Sequence, residues 1–68
     1  MTDPEITSLL CELITFRDGK AETHVLGVMV GTLKTVHMSL AAAVDPWLAD
    51  NGYSPSEFLG SRVTRVEV

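Results

Sequence analysis

The stretch Phe16-Arg17-Asp18-Gly19-Lys20-Ala21 decides how the front of this chain folds. Its central pair, Asp18-Gly19, is typical of the two-residue turn of a β-hairpin. The segment after it, Thr23 to Val30, is strand-like. Within a soluble strand, Gly27 and Gly31 favour a bulge or a place where a helix packs tightly. These features predict a hairpin over about residues 10–30.

A second pattern in the same region favours a helix. Apolar residues recur there at helical spacing: Ile6, Leu9, Leu10, Leu13 and Ile14. Asp3-Pro4-Glu5 is a plausible helix start, and Gly19 would then end the helix and leave only two strands. A strand over Leu10 to Phe16 instead gives three strands, about the minimum for an independent sheet. We favour the hairpin and keep a mainly α fold with a helix over 4–17 as the alternative.

A long amphipathic helix is predicted over residues 32–51. Its apolar arc contains Leu33, Val36, His37, Leu40, Val44, Trp47 and Leu48. Thr32 can cap its start and Asn51-Gly52 can end it. Pro46 lacks an N–H, so the helix should kink there or restart with Asp45 as its cap. Because His37 falls on the arc, we expect a buried or half-buried neutral imidazole, with a pH-sensitive contact as the alternative.

The last third of the chain contains signals for a short helix and then a strand. Ser54 can cap the helix, Pro55 suits its first position and Glu57 can reach back as the capping acid. This helix should continue through Phe58 and Leu59 and end at Gly60. Residues 61–68 are rich in β-branched residues and predict a strand, whose charges suit a sheet edge.

These elements predict one small α+β domain over residues 1–68. A two- or three-stranded sheet should pack against the single amphipathic helix 32–51. If strands 22–30 and 61–68 are adjacent, they should be parallel and joined by a right-handed crossover.

The chain is apolar for its size. Of its 68 residues, 46% are hydrophobic, yet so short a chain buries only about 60% of the surface that it exposes when unfolded. Some apolar surface should therefore contact a second copy or another protein. We predict a homodimer.

Charge and composition exclude several function classes. The net charge is −4 and the acidic residues are dispersed, whereas nucleic-acid binding needs clustered Lys and Arg. The longest uncharged apolar run, Val25 to Leu33, is nine residues, far below the roughly 20 that a membrane helix needs. The acidic N-terminus is unlike a signal peptide, and the lone Cys11 fits a reducing compartment. We expect a soluble cytoplasmic protein with neither nucleic acid nor membrane as a partner.

The residues that could carry chemistry are few. One Cys and two His are too few for a zinc site, and no metal or other cofactor is predicted. Cys11 lacks the context of a nucleophile and is expected to be a small core residue. With no acid–base or nucleophile constellation, the chain is not expected to be an enzyme.

The candidate site is a cluster of large rings beside acids. Trp47, Tyr53 and Phe58 lie within twelve residues that also contain Asp50 and Glu57, with Asp45 just before them. Rings beside acidic groups are typical of interface hot spots. These five residues are the predicted protein-binding site, although Trp47 and Phe58 also suit burial and Tyr53 is the expected exposed contact.

The site indicates a small acidic protein-binding module. Such a module would be an inhibitor, an adaptor or an antitoxin-like protein, of the kind that a phage or mobile element encodes, and its partner would carry a basic patch. The alternative function is a structural homo-oligomer or assembly subunit with no foreign partner.

Overall fold

The computed structural model describes residues 5–66, which form an α+β fold. Its elements are β1 (Thr7–Arg17), β2 (Lys20–Gly31), α1 (Leu33–Asp50), a 3₁₀ turn (Pro55–Glu57) and β3 (Phe58–Arg65). The sheet order is β2-β1-β3, and β1 is antiparallel to both neighbours. The predicted hairpin and the single helix packed on the sheet are confirmed. The alternative helix over 4–17 is wrong where the structure describes it, and residue 4 lies outside the described residues.

The turn between β1 and β2 is the predicted two-residue turn. Asp18 has a φ of 52° and Gly19 a φ of 77°. Positive φ values at both central residues match the twist of the flanking strands. Asp tolerates this conformation better than most residues, because its short side chain can hydrogen-bond locally. The turn sets Arg17 directly opposite Lys20.

Both glycines of β2 have the roles that their spacing predicts. Cys11 pairs with Gly27 whereas the next residue, Glu12, pairs with Val25, so one residue of β2 is extra at this point. Gly27 has a φ of 133°, which is accessible essentially to glycine alone. At Gly31, a Cβ atom would lie 2.8 Å from Thr35 Oγ1 of α1. One glycine therefore permits a bulge, and the other permits close packing of the helix start.

The ends of α1 are those that the sequence predicts. Thr35 N donates to Thr32 Oγ1 at 3.1 Å, and Thr32 N donates to Thr35 Oγ1 at 3.0 Å. These bonds satisfy N–H groups that would otherwise lack partners at a helix start. At the other end, Gly52 has a φ of 76°, and Asn51 N donates to Trp47 O at 3.1 Å. Pro46 lies inside the continuous helix, so the predicted restart at this proline does not occur.

The apolar arc of α1 is narrower than predicted. The buried residues Val36, Leu40 and Leu48 follow an i, i+4 row, and this row advances around the helix by about 40° per step. In the first half of α1, His37 therefore lies outside the side of the helix that faces the sheet. His37 is exposed, so the prediction that its imidazole is buried is wrong. Leu33, also on the predicted arc, is 57% exposed.

The core lies between α1 and one face of β1. Four side chains of alternate residues on β1 are almost fully buried against the helix: Leu9, Cys11, Leu13 and Thr15. Val36 and Leu40 complete the cluster from α1. Cys11 is the small buried core side chain that the sequence predicts. Because successive side chains of a strand point to opposite faces, the even-numbered residues of β1 project away from the helix. We call this second, uncovered side of the sheet the open face.

The predicted helix after Ser54 is too long. Glu57 Oε1 accepts a hydrogen bond from Ser54 N at 2.9 Å, as a capping acid should. However, Phe58 already has extended backbone angles and pairs with Thr15 of β1, so the continuation to Gly60 is wrong. Pairing with the central strand satisfies backbone groups that a further helical turn would leave facing the sheet. β3 therefore starts three residues before the predicted strand 61–68, whose last two residues lie outside the described residues.

The topology also refines the predicted crossover. β2 and β3 are both antiparallel to β1 and hence parallel to each other, but β1 lies between them. They are therefore not adjacent, and the connection through α1 passes over the central strand. β3 occupies the predicted edge position.

We expect Gly27→Ala to lower the free energy of unfolding by about 1–3 kcal/mol, because it forces an L-residue into a glycine-only conformation. The matched control is Gly60→Ala. Both positions are in outer strands with open space for a methyl group, but only Gly27 has a positive φ. Urea unfolding followed by circular dichroism measures the difference. Equal effects of the two substitutions would contradict the bulge.

Candidate protein-binding site

Three rings from three parts of the chain meet beside the hairpin turn. The indole of Trp47 is stacked on Tyr53, with ring centroids 5.8 Å apart and an interplanar angle of 15°. The His24 ring lies 4.8 Å from Trp47 and 5.4 Å from Tyr53. We call the predicted site residues Trp47, Asp50, Tyr53, Glu57 and Phe58 the aromatic corner. The structure adds His24 of β2 to it.

Local backbone structure positions the two larger rings. Trp47 lies one turn before the end of α1, and the left-handed Gly52 reverses the chain immediately after it. Tyr53 N then donates to Leu48 O at 2.9 Å, which fixes the residue against the last helical turn. The stop signal at Asn51-Gly52 therefore also sets the position of Tyr53.

Arg17 holds the aromatic corner together. Its Nε and Nη2 atoms donate to the two carboxylate oxygens of Glu57, the second at 2.8 Å, and Nη2 also donates to Gly52 O at 2.6 Å. Its Cζ atom lies 4.2 Å from the centroid of the Tyr53 ring, which is cation–π geometry. A planar guanidinium can make a two-pronged carboxylate bond and a stacking contact at the same time. One residue at the end of β1 thus fixes both the loop and the ring.

The Arg17–Glu57 pair stays charged over a wide pH range. Hydrogen bonds from Arg17, and next from Ser54 N, lower the pKa of the Glu57 carboxyl from 4.5 to about 2. The same hydrogen bond to Glu57 raises the pKa of Arg17 above its ordinary value. Both groups are partly exposed, so solvent screens the pair and its main effect is geometric.

Two hydrogen bonds orient the ring edges. Thr15 Oγ1 and His24 Nε2 lie 2.8 Å apart, which satisfies the hydroxyl of a threonine that is only 1% exposed. The Tyr53 hydroxyl donates to Glu22 Oε2 at 3.2 Å. The rings are therefore fixed at their edges as well as at their faces.

The structure brings together most of the predicted site. Trp47 and Phe58 are half-buried and pack against the core, as their positions suggested. Tyr53 is half-buried rather than fully exposed, because Arg17 and Trp47 lie against its ring. Glu57 faces inward to Arg17. Asp50 alone among the five is exposed.

Asp50 is electrostatically unfavourable where it lies. It is the last residue of α1, and the last turn contains no basic residue. Because the C-terminal end of a helix carries partial negative charge, a carboxylate there is destabilising and a cation is favoured. Within residues 5–66, Asp50 takes part in no ion pair. This end of the helix would therefore be stabilised by a positive group from outside.

Sequence reasoning missed Arg17 and His24. Both belong to the hairpin, far from the aromatic corner along the chain. His24 is opposite Leu13 in the hairpin and so points to the helix side. Counting residues outward from the Asp18-Gly19 turn gives the pairing of His24 with Leu13, provided that the bulge lies farther from the turn than His24. The sequence alone does not fix the position of the bulge.

The described part of the chain contains no group of three or more His, Cys, Asp and Glu residues that could hold a metal ion. No helix within residues 5–66 is both long and apolar enough to cross a membrane.

We expect Glu57→Gln to lower the melting temperature most above pH 4.5 and progressively less as the pH falls to about 2. The carboxylate has a lowered pKa in the folded state, so its stabilisation is present above its unfolded pKa and is lost on protonation. Melting curves at a series of pH values measure this. The control, Asp18→Asn, removes a neighbouring carboxylate that has no hydrogen bond to Arg17 and should show a much smaller pH-dependent difference. A pH-independent effect of Glu57→Gln would contradict the assigned pair.

Comparisons with known proteins add no functional assignment. No protein-family model, no curated protein sequence and no solved structure matches this chain. Its own fold and contacts are therefore the basis for proposing a function.

Proposed function

We propose that this chain is a small acidic protein-binding module of the inhibitor or adaptor type, which also includes antitoxin-like proteins. The contact residues are those of the aromatic corner, with Trp47, Tyr53 and Asp50 at its centre. The partner carries a basic patch. In this proposal the chain acts by surface contact and is not an enzyme.

The observation that carries the proposal is the fixed ring stack beside an unpaired acid. Trp47 and Tyr53 are held by the helix end, by Arg17 and by a hydrogen bond to Glu22. Side chains that are ordered before binding lose little entropy when a partner covers them. Trp and Tyr are enriched among the hot spots of protein interfaces.

Charge supports a basic partner. Asp45 and Asp50 are exposed on the last two turns of α1, where no basic side chain from the last turn offsets them. A Lys or Arg from a partner would both pair with Asp50 and favour the negative end of the helix. Binding should therefore weaken as salt is added.

The proposal also includes a homodimer in a reducing compartment such as the cytoplasm. The homodimer is supported by uncovered apolar surface, since eight large hydrophobic side chains in the described residues are exposed. The reducing compartment is supported by a single buried free thiol, Cys11. A structural homo-oligomer without a foreign partner is the rival function.

The test is affinity capture from the native host with the wild-type chain and three variants, followed by titration of the captured protein. Asp50→Asn should weaken binding by about tenfold and reduce its salt dependence. Ser39→Lys changes the net charge equally on an exposed part of α1 and should bind like the wild type. Tyr53→Ala should lose about 2 kcal/mol of binding or more. The Tyr53→Ala variant should still fold, because the substitution removes only the contacts of one half-buried ring.

Equal binding by the wild type, Asp50→Asn and Tyr53→Ala would contradict the assigned site. Failure of every form to bind any protein specifically would favour the structural homo-oligomer.

A further inference from the structure

The open face of the sheet is strongly apolar. Side chains project from it at alternate residues of each strand, and most are hydrophobic: Leu10, Ile14 and Phe16 of β1, Val25, Val28 and Val30 of β2, and Val66 just after β3. Leu59, the extra residue at the irregularity in β3, adds to the exposed apolar surface. The helix side of the same sheet forms the core, so this domain has two apolar faces and one helix.

The exposure of these side chains is unusually high for a monomer. Val30 is 73% exposed, Val25 is 65% exposed and Val28 is 54% exposed, all on one strand. Single exposed hydrophobic residues are normal on protein surfaces, but a contiguous patch marks an interaction site. A one-helix domain of this size has no further element among residues 5–66 to cover it.

One ion pair lies in the middle of the open face. Arg62 donates to Glu12 Oε1 through Nε at 3.1 Å, and Nη2 approaches the same oxygen at 3.1 Å. The Glu12 side chain is 11% exposed and that of Arg62 is 58% exposed. These are the only charged residues of the three described strands that lie on this face; the others pair across the sheet on the helix side.

We infer that the open face binds the open face of a second copy of this chain, which assigns an interface to the homodimer of the proposed function. Two such faces pack as two layers of sheet around a shared apolar interior. The contact is isologous, since each copy offers the same surface to the other.

The charges of the open face are compatible with a second copy as the occupant. The face has one acid and one base that pair with each other, so it carries no net charge and two copies can approach without repulsion. The other acids among residues 5–66 lie off this face, so they do not oppose this approach.

The available area is that of a small specific interface. An eleven-residue strand at about 3.4 Å per residue, with neighbours about 4.8 Å apart, outlines roughly 500 Å² on a three-stranded face. Two copies together bury roughly 1,000 Å², about the size that a specific interface needs. The aromatic corner is on the helix side of the sheet and stays accessible in this dimer.

The test is the molar mass of the full chain by light scattering between about 1 and about 100 μM. The wild type should reach twice the monomer mass of 7.4 kDa. Val28→Lys places an ammonium group on the apolar open face, where a second copy would bury it, and should raise the dimer dissociation constant by at least about 100-fold. Met38→Lys is the matched control, because Met38 is 64% exposed on α1 and the charge change is identical.

Each outcome distinguishes the claims. A wild-type mass of 7.4 kDa at the highest concentration would overturn both the dimer and its interface. A Val28→Lys dimer as strong as the wild type would overturn the interface alone and favour pairing through a sheet edge. Dissociation by Met38→Lys would move the interface to the helix. If Val28→Lys unfolds, Val30→Lys replaces it, because Val30 is 73% exposed on the same face; a Val30→Lys dimer as strong as the wild type would then overturn the interface. Binding of the foreign partner at the aromatic corner is measured separately and does not depend on these results.

Discussion

The fold depends on one strand that pairs on both sides. β1 is hydrogen-bonded to β2 and to β3, and four alternate side chains along it, from Leu9 to Thr15, are buried against α1. Leu13 and Leu40 are among the most deeply buried side chains, and each contributes about 1.5–3 kcal/mol by burial. The same alternation that forms the core directs the remaining side chains of β1 to the open face. A shift of β1 by one residue would exchange the two faces, so this strand determines the core and the open face together.

The hairpin and helix ends could be predicted from the sequence because local chemistry determines them. A particular backbone conformation or a hydrogen bond within a few residues determines the structure at Asp18-Gly19, Thr32 and Gly52. The failures depend on contacts between distant parts of the chain. His37 is exposed because the narrow sheet contacts only the row of α1 that contains Val36, Leu40 and Leu48. Phe58 is extended rather than helical because it pairs with Thr15 of β1. Local sequence propensity cannot predict either of these contacts with the sheet.

The site was predictable in part for the same reason. Trp47, Tyr53 and Glu57 are near neighbours in sequence, and the turn at Gly52 brings them together. Arg17 is forty residues from Glu57, and only the completed sheet places its guanidinium over Tyr53.

The two proposed surfaces are on opposite sides of the sheet. A dimer through the open face would therefore present two aromatic corners, and a partner with two basic sites would bind it with higher avidity than one copy alone.

The most direct test of this account is an isotope-filtered NOE experiment on a mixture of labelled and unlabelled chains, which detects only contacts between copies. The account predicts intermolecular contacts among the methyl groups of Val28, Ile14 and Leu10, and none from Leu40 or Leu48 of the core. Intermolecular contacts from α1, or contacts confined to the outer backbone of β2 or β3, would contradict the claim that the open face is the interface.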